Sequence, residues 1–112
     1  MTAEGSLNLT QSFGSLVEQH IAADPAFAKA MLCEGVNAML AGDVETAKAI
    51  FVDYITATIG FEALGKETGN RPAALARLFG PQGNPRVRSF LGVLDHLQRR
   101  AGLRLRVQIS RT

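Results

Sequence analysis

All nine arginines of the chain lie after residue 70. A guanidinium is a permanently charged, forked donor, suited to phosphate oxygens and to the O6/N7 edge of guanine. Residues 1–60 carry two Lys against seven Asp or Glu, a net charge of −5. Residues 61–112 carry nine Arg and one Lys against three acids, a net of +7, so the whole-chain +2 hides a steep internal split. The basic half also contains a stretch, Phe61 to Leu78, patterned as two short helices about a turn. A basic region built round a compact two-helix unit is the electrostatic footprint expected of a DNA binder.

Other chemistry finds little support. Cys33 is the single cysteine, so no internal disulfide is expected, and its thiol is expected to be a small buried apolar group. His20 and His96 are far apart with no Cys or His at ligand spacing, so no metal site is expected. His96 is expected at a surface or interface. No Gly-rich phosphate loop, Ser/His/Asp set or well-placed carboxylate pair occurs, so no catalytic residue, cofactor or enzymatic activity is expected. The start of the chain carries no basic and apolar signal pattern, and no apolar run approaches the roughly 18 residues needed to span a bilayer. A cytoplasmic protein without a membrane partner is the expectation.

The elements that must position the arginines follow from periodicity and punctuation. Phe13, Leu16, Val17 and Ile21 predict a first helix up to about Ala23. Asp24-Pro25 reads as N-cap and first helical residue of a second, with Phe27, Met31, Val36, Met39 and Leu40 on its apolar face and Gly42 at its stop. Asp43 caps a third, whose stripe is Ala47, Ile50, Phe51, Tyr54 and Ile55, ending at Gly60. Short helices follow at about Phe61 to Thr68 and Pro72 to Phe79. Gly80-Pro81-Gln82-Gly83 is a loop, and Asn84-Pro85 reads as the start of a last helix that ends near Ala101. Leu103, Leu105, Val107 and Ile109 then alternate with Arg104, Arg106, Gln108 and Ser110, which predicts a half-buried strand. Leu7 and Leu9 offer only a weak partner for it.

Residues 61–78 meet the steric demands of a helix–turn–helix. Gly65 lets two backbones approach, and Gly69 tolerates the positive φ of the turn. Leu64, Leu75 and Leu78 can meet beneath it. Pro72 suits the first turn of the second helix, and Arg71, Pro72, Ala73, Ala74, Ala76 and Arg77 are left on the outer side.

The run Glu62-Ala63-Leu64-Gly65-Lys66-Glu67-Thr68-Gly69, followed by Leu75-Ala76-Arg77-Leu78 and Gly83-Asn84-Pro85, resembles the lambda-repressor-like (Xre) helix–turn–helix regulators. The fuller strings Asp53 to Gly65 and Leu78-Phe79-Gly80-Pro81-Gln82-Gly83-Asn84-Pro85 are similar to a narrower branch, the addiction-module antidotes, which are antitoxin-like regulators. The resemblance covers residues 43 to 107, roughly, and the Gly-Pro-x-Gly-Asn-Pro string is its most specific part. It implies that Arg71, Ala73, Ala74 and Arg77 face base edges or nearby phosphates, and that Phe61 sits against the DNA backbone. It also implies a phosphate clamp at Asn84 and Arg86. Arg88, two residues on, points to another side of the same helix, so only one of the pair need face a phosphate. Two positions depart from the family pattern: Phe61 stands where Gln is frequent, and Asn70 where an aliphatic residue is usual. With Ala73, Ala74 and Ala76 outermost, direct readout is expected to be modest, with phosphate contacts and DNA shape supplying much of the binding.

Arg99 and Arg100 suit a helix C-terminus electrostatically, and Arg104 and Arg106 suit the solvated face of a strand. An isolated strand carries unpaired N–H and C=O groups, so residues 103–109 are the best interaction handle, for a second copy or for another protein's sheet. The expected fold is all-α: a lambda-repressor-like helix–turn–helix core, an N-terminal helical extension and one short C-terminal β-strand. One domain is expected over 1–112, divided as extension 1–42, core 43–102 and strand 103–109. The expected partners are a double-stranded DNA operator, a second copy in a homodimer and, from the resemblance, a small toxin protein. The expected role is autorepressor and antitoxin. The alternative is a protein-interaction module that keeps the fold without binding DNA.

Overall fold

The computed structural model describes residues 24–81 and 83–111. The expected helix from Phe13 to Ala23, and the expected strand partner at Leu7 and Leu9, lie outside these residues. The described chain is all-helical: α1 (Pro25–Leu40), α2 (Val44–Thr58), α3 (Phe61–Thr68), α4 (Pro72–Leu78) and α5 (Val87–Ala101). No strand forms among the described residues.

Local signals explain where α1, α2 and α4 begin and where α3 ends. The Asp24 carboxylate accepts from the Ala26 N–H at 3.0 Å, and Pro25 occupies the first helical position, where its missing N–H costs nothing. Asp43 caps α2 by accepting from the Thr46 N–H at 3.2 Å. α3 ends at Gly69, whose φ of 74° is the left-handed value that a side chain resists. Pro72 opens α4. The start of α5 differs from expectation. Asn84-Pro85 does not cap it; the helix begins two residues beyond Pro85, with Arg86 in an extended N-cap conformation and no side-chain cap hydrogen bond.

The core gathers round Phe51 of α2, which is 1% exposed. Its ring lies 5.3 Å from Phe90 of α5 in an edge-on arrangement and 6.3 Å from Phe79 at the end of α4. Leu32, Ile55, Leu64, Leu75 and Leu97 are fully buried in the same core, so every helix contributes at least one buried side chain. Burial of each such aliphatic group contributes about 1.5–3 kcal/mol. α5 has the strongest segregation of apolar from polar residues by pattern, burying Phe90, Val93, Leu94 and Leu97 and leaving Arg88, Asp95, Arg99 and Arg100 outside.

Two short helices, α3 and α4, are joined by Gly69, Asn70 and Arg71. Gly65 is buried where they meet: a Cβ there would stand 2.6 Å from the Asn70 carbonyl oxygen and 3.2 Å from the Pro72 ring. Leu64 and Leu75 are buried beneath this junction and Leu78 is half-buried. The far end of α3 is tied to α5, where His96 Nε2 and Glu67 Oε1 are 2.6 Å apart and Arg100 Nε lies 3.9 Å from the same carboxylate oxygen.

Residues 103–109, expected as a strand, run along the outside of α5 without a ladder. The alternation is there at first: Leu103 and Leu105 are half-buried against the core while Arg104 and Arg106 are exposed. The Leu105 N–H donates to Gln98 Oε1 at 2.7 Å. No second extended segment lies beside this one among the described residues, so nothing completes a sheet. Cys33 corrects a second expectation. It is exposed, because it falls on the side of α1 opposite the contact made by Leu32 and Gly35 with α2.

Candidate nucleic-acid interface

The expected contact residues divide into three sets. Arg71, Ala73, Ala74, Arg77 and Asn84 line one open concavity of about 550 Å³, formed between α4, the following loop and the start of α5. Ser89 of α5 joins them there. Arg71, Ala73, Ala74, Arg77 and Asn84 are all exposed. The outer side of α4 is therefore short-chained at its centre, with a guanidinium near each end. Arg71 is the N-cap residue and Arg77 lies in the last turn.

Arg86 and Arg88 form the second set. Both are exposed at the start of α5, next to the concavity rather than lining it. The first N–H groups of a helix have no partner within it, and α5 lacks a side-chain cap that would engage them. Positive potential at this end is thus the sum of two guanidinium groups and the uncapped amides.

Phe61 stands apart. Its ring is half-buried, packs on the core and lies 6.3 Å from Phe79. It lines a different concavity, of about 450 Å³, with Val52, Asp53 and Ala76. The side chain packs α3 against the end of α4, and it lines a concavity separate from that of Arg71 and Arg77. Asp53 is half-buried at that concavity, and loss of solvent pushes its carboxyl above the ordinary 3.8.

Lys48 is a residue that the sequence pattern did not single out. It is 3% exposed, yet it projects from α2 toward the loop after α4. Its Nζ donates to the carbonyl oxygens of Gly80 at 2.9 Å and Gly83 at 2.8 Å, and pairs with Glu45 at 3.2 Å. A buried ammonium needs such acceptors, since leaving it unpaired costs several kcal/mol, on the order of those for other buried charges. The loop is closed further by the Gly83 N–H donating to the Gly80 carbonyl at 3.0 Å. Lys48 thereby holds the segment that leads from Arg77 to Asn84. Its spacing was the available signal. Lys48 follows the buried Ala47 and lies three residues before Phe51 and seven before Ile55, on the side of α2 that faces the core.

Among the described residues, no cluster of three or more His, Cys, Asp or Glu could hold a metal ion. No helix among them is long and apolar enough to cross a membrane. The basic, open and mostly small-residue face of α4 is suited to a polyanion with a regular backbone. Compared with known proteins, the chain matches no family model, no curated protein and no solved structure.

Proposed function

We propose that this chain is a sequence-specific DNA-binding transcriptional regulator without enzymatic activity. In this reading α3 and α4 act as a helix–turn–helix pair, and α4 enters the major groove. The observation that carries it is the convergence of Arg71, Arg77 and Asn84 on one open surface, with Arg86 and Arg88 beside it. Ala73 and Ala74 between the two guanidinium groups allow the helix to lie close to base edges, where their methyls can meet thymine. In this reading Asn84, Ser89 and the uncapped start of α5 engage a phosphate, which fixes register without reading sequence.

The setting follows from the resemblance alone: the repressor of its own operon, and the antitoxin that holds a small toxin inactive. Residues 103–109 would become a β-strand only on meeting a partner. A protein-interaction module is the second reading, favoured by Val107 and Ile109, which are 79% and 92% exposed. Binding to a pool of random-sequence duplexes, measured by anisotropy across a salt series, separates the two. A DNA binder gives affinity that falls steeply and linearly on logarithmic axes, with a slope near −0.9 per neutralised phosphate, about as for other B-DNA ligands. Absence of binding at the lowest salt would remove the DNA reading.

A further inference from the structure

Residues 103–111 leave the core part-way along their length. Leu103 and Leu105 remain packed on it, whereas Val107 and Ile109 on the same side of the extended chain are almost fully exposed. Among the described residues, no backbone group from Arg106 to Arg111 takes part in a hydrogen bond. The segment borders a groove of about 450 Å³, whose apolar lining includes Val36 and Leu40 of α1 and Leu94 of α5. Leu40, at 67% exposed, continues the apolar surface outward. An extended, alternating segment with free amides and an uncovered apolar side is a template for strand addition.

We infer that the occupant is a second copy of this chain, whose own residues 105–109 pair antiparallel with these about a two-fold axis through Val107. The side-chain pattern of the segment is self-complementary in one register. Centred on Val107, the ladder sets Leu105 opposite Ile109 of the other copy and Val107 opposite its own counterpart, an unbroken apolar side. On the reverse side Arg106 faces Gln108 and Arg104 faces Ser110, so each of these guanidinium groups meets a neutral oxygen. Centring on Arg106 sets Arg106 against itself, centring on Leu105 sets Arg104 against Arg106, and centring on Gln108 sets Leu105 against Arg111. Like charges directly opposite destabilise a pair. Centring on any peptide bond would put arginines among the apolar residues, since a one-residue slip exchanges the two sides. The same patch serves both copies, which is the requirement of a two-fold interface.

The experiment measures the mass of the full chain by light scattering, with no DNA present, so its result is separate from that of the operator assay. The wild type is expected as a dimer. The Leu105 N–H faces Gln98, so residues 106 and 108 turn theirs to the open edge. Gln108→Pro removes one of these ladder N–H groups at an exposed position and is expected to give a folded monomer with an unchanged helical circular-dichroism signal. In a Cys33→Ser background, which removes a thiol lining the same groove, Val107→Cys is expected to oxidise to a covalent dimer. Arg104→Cys, facing Ser110, is not. A monomeric wild type, a dimer indifferent to Gln108→Pro, or equal cross-linking at 104 and 107 would overturn the inference.

Discussion

The Lys48 ammonium lies 2.8 Å from the carbonyl oxygen of Gly83, 35 residues further along the chain. It makes a second hydrogen bond to Gly80, so one side chain of α2 gathers both ends of the turn that links α4 to α5. Lys48→Met keeps the aliphatic stem and removes the charge. It leaves two carbonyls without their donor, and is expected to cost about 3 kcal/mol of stability, because hydrogen bonds to charged groups are the stronger ones. Urea unfolding followed by circular dichroism measures this. An unchanged midpoint would mean that water replaces the ammonium at no cost.

Gly83 is cramped for a separate reason. A Cβ there would stand 2.0 Å from the Arg77 carbonyl oxygen and 2.4 Å from that of Leu78. Both obstacles are backbone, so Gly83→Ala must displace the loop or the end of α4. The expected loss is about 2–4 kcal/mol, in the range of overpacked interiors. A thermal melt reads it directly, and Gly92→Ala, where a Cβ meets nothing within 4 Å, is the control expected to leave the melt unshifted or slightly raised.

Arg71 and Arg77 are exposed and make no ion pair among the described residues, so neither is expected to matter for folding. Under the proposed function, Arg71→Ala or Arg77→Ala lowers affinity for a selected operator by about 1–3 kcal/mol where the guanidinium contacts a base. A phosphate contact instead weakens all sequences equally and reduces the salt slope by about one. Anisotropy titrations on selected and scrambled duplexes distinguish these outcomes. Wild-type binding by both variants would take α4 out of the interface.

Burial raises the Asp53 carboxyl above its ordinary 3.8, so the folded chain holds that proton more firmly than the unfolded chain does. The stabilisation from this group is therefore complete below pH 3.8 and is lost as pH climbs through the raised folded value. Asp53→Asn removes the ionised group's penalty. It is expected to raise Tm at neutral pH by about 2 °C, with the gain disappearing in acid below the ordinary value. Melts of both proteins across pH check the sign, and a lowered Tm at neutral pH would contradict it.

Much of the framework was legible in the residues because it rests on local chemistry. Asp24 and Asp43 cap helices through their own carboxylates, and Gly69 takes the left-handed turn that its position demanded. The outer side of α4 was readable because Leu75 and Leu78 point the other way. Asn84-Pro85 misled as a cap because the chain stays extended through Arg86, with Lys48 fixing the loop just before it. That contact joins residues far apart in sequence, which periodicity does not reveal. Cys33 misled because thiols are commonly buried, whereas α1 presents Leu32 and Gly35 to its neighbour and turns the next residue outward. The half-burial of Phe61 rests on Phe79, a ring 18 residues further along the chain, and periodicity does not reveal such a contact.

The uninterrupted 15 residues of α5 run from the Arg86 end of the candidate interface to the tail. At 1.5 Å per residue that is a stiff rod of about 22 Å. If the tails meet, the rod is a ruler: its length, and not any residue on α4, sets how far apart two copies place their reading heads along a duplex. Adding or deleting a helical turn midway along it would then change the spacing between operator half-sites while leaving the preferred sequence of each half-site as it was.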